Sequence, residues 1–240
     1  MSVEIITLPT AVAAAEACGA AMLSRLTLAR DDRGSATAAV SGGGTPRIMF
    51  QWMARQDFDW HNIDLFWVDE RCVPIDDEQS NYRMTREALL DSIGLAPERI
   101  HRVQTELAPD EAAARYAGEI RRSFGIKPGE LPAFDVLQRG MGPDTHTASL
   151  FPGEPMIGNH TDIAAAVWVE KFHQHRVTLL PGVLEHARLT VCLVTGADKT
   201  DGLAKVLRGA VNPIATPSQI SSPEMIWYID PPAGAALAGS

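Results

Sequence analysis

The feature that most restricts the fold of this chain is a transition repeated along it: a short, almost wholly apolar run ends abruptly in glycine or charge. Ser35–Val40 runs into Ser41-Gly42-Gly43-Gly44-Thr45-Pro46, and Ile63–Val68 into Asp69-Glu70-Arg71. Phe134–Leu137 leads to Gly140, and Arg188–Val194 to Thr195-Gly196. Apolar runs of about four to eight residues bounded by turn residues suit strands covered on both faces, as in a parallel sheet. Stretches with helical spacing lie between them. Pro9–Arg30 carries the stripe Ala14, Cys18, Met22 and Leu26, and helix signals return after Pro46 through Ile48, Phe50, Trp52 and Met53. Ser80 or Asn81 caps a helix that runs to about Ile93, and a helix from Asp110 to about Gly125 carries Tyr116, Ile120 and Phe124 on one stripe. Val3–Thr7, Ala164–Val169, Val177–Leu180 and Met225–Ile229 are further strands, with Lys171 and Arg176 in the turn between the middle two. The expectation is an α/β protein with a mostly parallel sheet flanked by helices. One domain covers residues 1–230, followed by a flexible Pro/Gly-rich tail at 231–240.

This topology decides where chemistry can sit. In an open parallel sheet the carboxyl ends of the strands share one edge, and ligands bind in the crevice there. Ser41–Thr45, Asp69–Arg71, Asp144–His146 and Gly196–Lys199 all follow strands, so they are expected to converge. The segment from Gly140 to Gly153 reads G-M-G-P-D-T-H-T-A-S-L-F-P-G. Its glycines and proline make a tight turn, and Thr-Ala-Ser-Leu-Phe is expected to start a helix whose first N–H groups point outward. Asp144 and His146, two residues apart, can supply a general base and the group that orients it. The plainer reading is a turn aspartate and a capping histidine.

Ser41–Pro46 suits a phosphate cradle, with Thr45 capping the following helix and Pro46 in its first turn. It lacks the G-K-[ST] ending of a nucleotide-binding loop, so nucleotide binding is not expected. Lys199 and Arg176 can neutralise a phosphate, although a solvated surface charge is the default reading of either alone. His173 and His175 have no acidic or cysteine partners in sequence to complete a metal site. Cys72 follows an arginine but has no evident task.

Charge and cysteine content exclude several function classes. A formal net charge of −9 argues against a nucleic-acid surface. Cys18, Cys72 and Cys192 form no C-x-x-C pair, a pattern that suits a reducing cytoplasm rather than a disulfide or zinc framework. The first residues, Met-Ser-Val-Glu, lack the positive region of a signal peptide, and no uninterrupted apolar run approaches the roughly 18 residues needed to span a bilayer. A soluble, cytoplasmic protein with neither membrane nor nucleic-acid partner is expected.

The sequence resembles the 6-phosphogluconolactonases, relatives of the glucosamine-6-phosphate deaminases. The resemblance covers most of the chain. It is carried by S-G-G-G-T-P at 41–46, W-V-D-E-R-C-V-P at 67–74 with D-D-E-Q-S-N-Y at 76–82, the segment 140–153, K-x-x-x-x-R at 171–176 and T-G-A-D-K at 195–199. It implies a sugar-phosphate isomerase/deaminase type of sheet and hydrolysis of 6-phospho-D-glucono-1,5-lactone in the pentose phosphate pathway, without cofactor or metal. Carried over by position, His146 is the general base with Asp144 beside it. Gly42, Gly43, Thr45, Asp69, Arg71, Lys171, Arg176 and Lys199 are the substrate-binding candidates, and the protein is a monomer or homodimer.

This chain departs from the family at Thr145, where glycine is usual, and at Gln138 and Arg139, where apolar residues are usual. Between Lys171 and Arg176 it has Phe-His-Gln-His in place of a proline-rich stretch. Thr145 is expected to cap a short helix beginning at His146, and Arg139 to point to solvent. Two other readings use the same pocket. One is an amino-sugar-phosphate deaminase or isomerase, although Phe151 stands where those relatives usually carry glutamate. The other is a non-catalytic sugar-phosphate-binding protein with an altered loop.

Overall fold

The largest element of the structure, a computed structural model that describes residues 2–237, is a wholly parallel seven-stranded sheet. Chain order begins with β1 (Ser2–Thr7), α1 (Ala11–Arg33), β2 (Ala36–Val40) and α2 (Gly44–Met53). It continues through β3 (Ile63–Trp67), β4 (Asp69–Arg71), α3 (Asn81–Thr85), β5 (Ile100–His101), α4 (Pro109–Phe124) and β6 (Val136–Arg139). The remaining elements are β7 (Ala164–Val169), β8 (Gln174–Leu179), α5 (Pro181–His186), β9 (Thr190–Val194), α6 (Thr200–Arg208), β10 (Glu224–Ile229) and α7 (Pro231–Gly234). The sheet order is β1-β10-β9-β6-β2-β3-β5, and β4, β8 and β7 form a small antiparallel sheet.

The long helix α1 forms where alanines and leucines dominate, with Thr10 Oγ1 accepting from the Ala13 N–H and Gly34 closing it at φ +80°. By length and composition it is apolar enough to cross a membrane. Its stripe of Ala14, Cys18, Met22 and Leu26 is instead buried in the core shared with α2, β2, β3 and β9. Gly19 lets α2 approach closely: a Cβ there would stand 3.0–3.3 Å from Met53, Trp52 and Met49. A second core on the other side joins α4, through Tyr116 and Ile120, to Phe66, Phe134 and the small sheet. The Tyr116 hydroxyl donates to the Trp67 carbonyl and accepts from the Trp67 N–H, at 2.7 and 2.8 Å, fixing α4 on β3 at the point where that strand leaves the sheet.

Several expectations are corrected. The helix at Ser80 does form, with Ser80 as cap, but it passes through a π-helical stretch at Arg86–Leu90 before Ile93. Arg176 lies inside β8, not in the turn, which is confined to 170–173. The expected tail is helical over 231–237: Asp230 accepts from the Ala233 N–H at 3.0 Å, prolines follow in the first turn, and Ala233 is buried. The last part of that tail, 238–240, lies outside the described residues.

Candidate active site

The four clusters meet at the carboxyl edge of the parallel sheet, around a cavity of about 290 Å³. Ser41–Pro46 enters from β2, Asp69 and Arg71 from β4, His146 from the loop after β6, Arg176 from β8, and Thr195 and Lys199 from the turn after β9. Of the expected site residues, Gly42, Gly43, Thr45, Asp69, Arg71, His146, Arg176 and Lys199 all line it. Asp144 and Lys171 stand behind His146 rather than in the wall.

His146 is held from three sides. Its Nδ1 is 2.5 Å from Asp144 Oδ1, and the other Asp144 oxygen accepts from Lys171 Nζ at 3.2 Å. The His146 hydrogen bond holds the Asp144 carboxyl well below the usual carboxylate range, with Lys171 adding to it against the opposing effect of burial. An ionised carboxylate only accepts, so in the neutral imidazole Nδ1 carries the proton and Nε2 keeps the lone pair. The ring face stacks on Phe151, centroids 4.1 Å apart and planes at 24°. Gly142 leaves room for the ring, which a Cβ at that position would overlap.

The loop that carries this dyad is not a helix. Thr145 and Ala148 adopt φ of +68° and +52°, and Thr147 bridges Leu150 across a tight turn. Thr145 therefore does not act as a cap; it occupies the left-handed conformation that favours glycine, and its buried hydroxyl has no partner. Arg139 does not face solvent: it is 1% exposed, directed into the interior with Nη2 donating to the Ile220 carbonyl. Gln138, equally buried, accepts from the Ser41 N–H at 2.9 Å and receives the Ser41 hydroxyl on its own carbonyl at 3.2 Å, tying the glycine loop to β6.

The rest of the lining is positive. Gly42 packs where a Cβ would overlap the Asn81 side chain, and Gly43, at φ +122°, is the cap of α2. Thr45 does not cap that helix; its hydroxyl pairs with that of Thr195 at 2.8 Å. Arg176 and Arg71 are direct cross-strand partners in the small sheet. Arg176 is nearly buried, its guanidinium 4.8 Å from the Phe172 ring centroid and 4.0 Å from Asp69. Asp69 is engaged further by Ser149 Oγ at 2.7 Å and by the Asn81 amide on its carbonyl at 2.8 Å. Lys199 pairs with Asp198 at 2.9 Å.

Glu70, buried behind this wall, accepts from the N–H groups of Arg71, Asn81 and Tyr82 at 2.7–2.8 Å. Burial pushes its carboxyl up to about 7, against those three donors. It fixes the Asp69–Arg71 segment to the start of α3. Asn81 lines the cavity, and Ser149 and Phe151 touch Asp69 and His146 respectively; Asn81 and Ser149 are not site candidates in the sequence, where Phe151 stands out only for replacing a glutamate. Asn81 had a signal, since it follows Asp-Asp-Glu-Gln-Ser at a helix start; Ser149 and Phe151 look like ordinary helix residues until the loop is seen. Among the described residues no cluster of three histidines, cysteines or acids is placed to hold a metal.

A family model described as glucosamine-6-phosphate isomerases/6-phosphogluconolactonase matches residues 9–227. A 6-phosphogluconolactonase from Synechocystis is 37% identical over 217 residues, covering 89% of this chain and 90% of its own. One from Streptomyces coelicolor is 34% identical over 245 residues, covering 94% and 91%. A crystal structure of a devB protein superposes with a TM-score of 0.87 at 30% identity, covering 98% and 99% of the two chains. The 6-phosphogluconolactonase of Trypanosoma brucei, at 23% identity over 98% and 99% of the chains and a TM-score of 0.86, shows the same fold.

Proposed function

The chain belongs to the glucosamine-6-phosphate isomerase/6-phosphogluconolactonase family, and on that premise we propose that its cavity hydrolyses 6-phospho-D-glucono-1,5-lactone to 6-phospho-D-gluconate, a step of the pentose phosphate pathway. The observation that carries the proposal is the dyad. His146 lies in the wall of the cavity with its Nδ1 occupied by an ionised Asp144, and Arg71, Arg176 and Lys199 line the same cavity. A base and a set of cations suit an uncharged ester whose far end is a phosphate dianion.

Neutral His146 takes a proton from water at Nε2 as the oxygen adds to the lactone carbonyl carbon. The carbonyl oxygen becomes an alkoxide, whose charge backbone N–H groups of the cavity lining would meet. Collapse re-forms the carbonyl and breaks the bond to the ring oxygen. The imidazolium returns its proton to that oxygen, leaving an open-chain acid that ionises. Arg176, Arg71 and Lys199 hold the phosphate, and the Gly42–Thr45 loop lets the backbone come close. Lys171 acts on Asp144, keeping it charged so that Nδ1 stays protonated, rather than on substrate. The amino-sugar deaminase reading is disfavoured because Phe151 occupies the place beside His146 where ring opening would need a carboxylate. A small soluble substrate, a cytoplasmic location and a monomer or homodimer belong to the same proposal.

The test is direct. Purified protein is added to freshly generated 6-phosphogluconolactone, and lactone loss is followed against the spontaneous rate. His146→Ala is expected to lower kcat by roughly 10²–10⁴, the range for losing a positioned base. A near-native kcat in that variant would move the base elsewhere, with Asp69 the next candidate.

A further inference from the structure

Under the catalytic loop lies a guanidinium that no carboxylate among the described residues pairs with. Arg139 ends β6, just before Gly140, and its cross-strand neighbour is the buried Cys192. Nη2 donates to the carbonyl of Ile220, while Nη1 has no hydrogen-bond partner. Burying a cation with no counter-charge is costly, so a sequence that places one here gains something from what it holds. What it holds is the end of the segment 216–220.

That segment in turn holds the loop that bears His146. The Ser218 N–H donates to the Thr145 carbonyl at 3.0 Å, and the Ser218 hydroxyl donates to the His146 carbonyl at 3.2 Å. Thr216, Ser218 and Ile220 are each 2% exposed, so these bonds are shielded from competing water. On its other side Thr145 is tied by its own N–H to the Gly142 carbonyl at 3.0 Å, and the His146 carbonyl also accepts from the Gly142 N–H at 2.9 Å. The one strained threonine of the loop is therefore clasped through both of its peptide groups. An L-residue released from the left-handed region relaxes to negative φ, and the accompanying peptide rotation would carry the imidazole away from Asp144.

We propose that Ser218, anchored by Arg139, is a positioning residue for catalysis: it holds Thr145 in its left-handed conformation and thereby aims His146. The inference rests on His146 being the base. It assigns a role to a serine 72 positions away in the chain. It also assigns one to an arginine that is not itself part of the cavity lining.

The test separates positioning from packing. Ser218→Ala keeps the N–H and removes the hydroxyl. It is expected to lower kcat by about 5–30-fold with KM within about twofold, less than the roughly hundredfold that about 1 Å of misplacement costs. Ser218→Thr restores the hydroxyl and should keep kcat within about threefold of wild type. Arg139→Met, which fills similar space without a donor, should lower kcat in the same sense. The decisive arm is the Thr145→Gly background, because glycine rests in the left-handed region without restraint. There, Ser218→Ala should cost less than about threefold. Equal losses in both backgrounds, an unchanged kcat in Ser218→Ala, or an effect confined to KM would each overturn the proposal. If Arg139→Met does not fold, the two Ser218 variants and the double variant still decide it. An active His146→Ala would instead refute the base assignment; an inactive His146→Ala beside a normal Ser218→Ala would refute only the positioning role.

Discussion

Replacing Thr145 with glycine is expected to stabilise this protein, an uncommon sign for a substitution beside a proposed catalytic histidine. Two costs disappear together. The residue sits at φ +68°, where an L-side chain costs about 1–2 kcal/mol relative to glycine. Its hydroxyl is buried with no partner, and leaving such a group unsatisfied costs about 1–3 kcal/mol. Against this stand glycine's greater freedom in the unfolded chain, about 0.5–1 kcal/mol, and the loss of one methyl packed near Gly202, about 0.8 kcal/mol. The balance is a gain of about 0.2–3.7 kcal/mol, centred near 2, and the centre corresponds to about 4–8 °C in Tm for a chain of this size. Thr145→Ala removes the hydroxyl but keeps the strained φ, so it should gain about 0.2–2.2 kcal/mol and fall short of Thr145→Gly. The measurement is thermal unfolding of all three proteins by calorimetry at one pH, with kcat/KM of Thr145→Gly expected within about tenfold of wild type. A Thr145→Gly that melts at or below the wild-type temperature would refute the strain argument. An equal gain in Thr145→Ala would assign all of it to the hydroxyl and none to the backbone.

The other predictions concern charge. Arg176→Ala should raise KM far more than it lowers kcat, and non-phosphorylated glucono-1,5-lactone should be a poor substrate for the wild type; equal kcat/KM for the two lactones would remove the phosphate assignment. Lys171→Gln should leave KM within about twofold while lowering kcat by a few-fold, because its ammonium touches Asp144; a change in KM alone would return Lys171 to substrate binding. His101 gives a stability signature away from the site. Burial pulls its pKa down, but hydrogen bonds to Asp64 and Glu119 at 2.8 and 2.9 Å prevail and raise it from 6.5 to about 9. A raised folded-state value means that this contribution is complete below about pH 6.5 and is lost as pH climbs through about 9. Wild type should therefore lose more Tm between those values than His101→Gln does, and parallel curves would show that the cluster contributes nothing.

The parts of this architecture that depend on burial pattern were legible in the chain. The strands at 36–40, 63–67 and 190–194 are buried except at Thr37 and Asp64, so their runs are nearly all apolar, and the rule that ligands gather at carboxyl ends brings the four clusters together. Features set by backbone geometry and distant contacts were not. Thr145 was read as a cap because a threonine before a helix-like sequence usually is one; only the carbonyl bonds from Ser218 show what holds it at positive φ. Arg176 was placed in a turn because Gln-His-Arg is a polar opening for a strand, yet β8 begins there because β7 continues to Val169 opposite. Arg139 looked like a surface charge since nothing local marks the Ile220 carbonyl as its acceptor. The tail at 231 did carry a signal that composition obscured: an aspartate followed by two prolines is a helix start.

The β7–β8 hairpin divides its duties by depth. Its root is a ladder of six registered pairs from Ala164↔Leu179 to Val169↔Gln174, with Arg176 facing Val167. Side chains alternate along such a ladder, so inserting or deleting one residue in the root would send the guanidinium to the opposite face. The tip, 170–173, obeys no such parity, and of its residues Lys171 reaches Asp144. Evolution can therefore rewrite the tip around Phe172, whose ring lies on the Arg176 guanidinium, and alter what stands over the dyad while the cation below keeps its register. The proposed grip on substrate and the setting of the proposed base are thus carried at different depths of one hairpin.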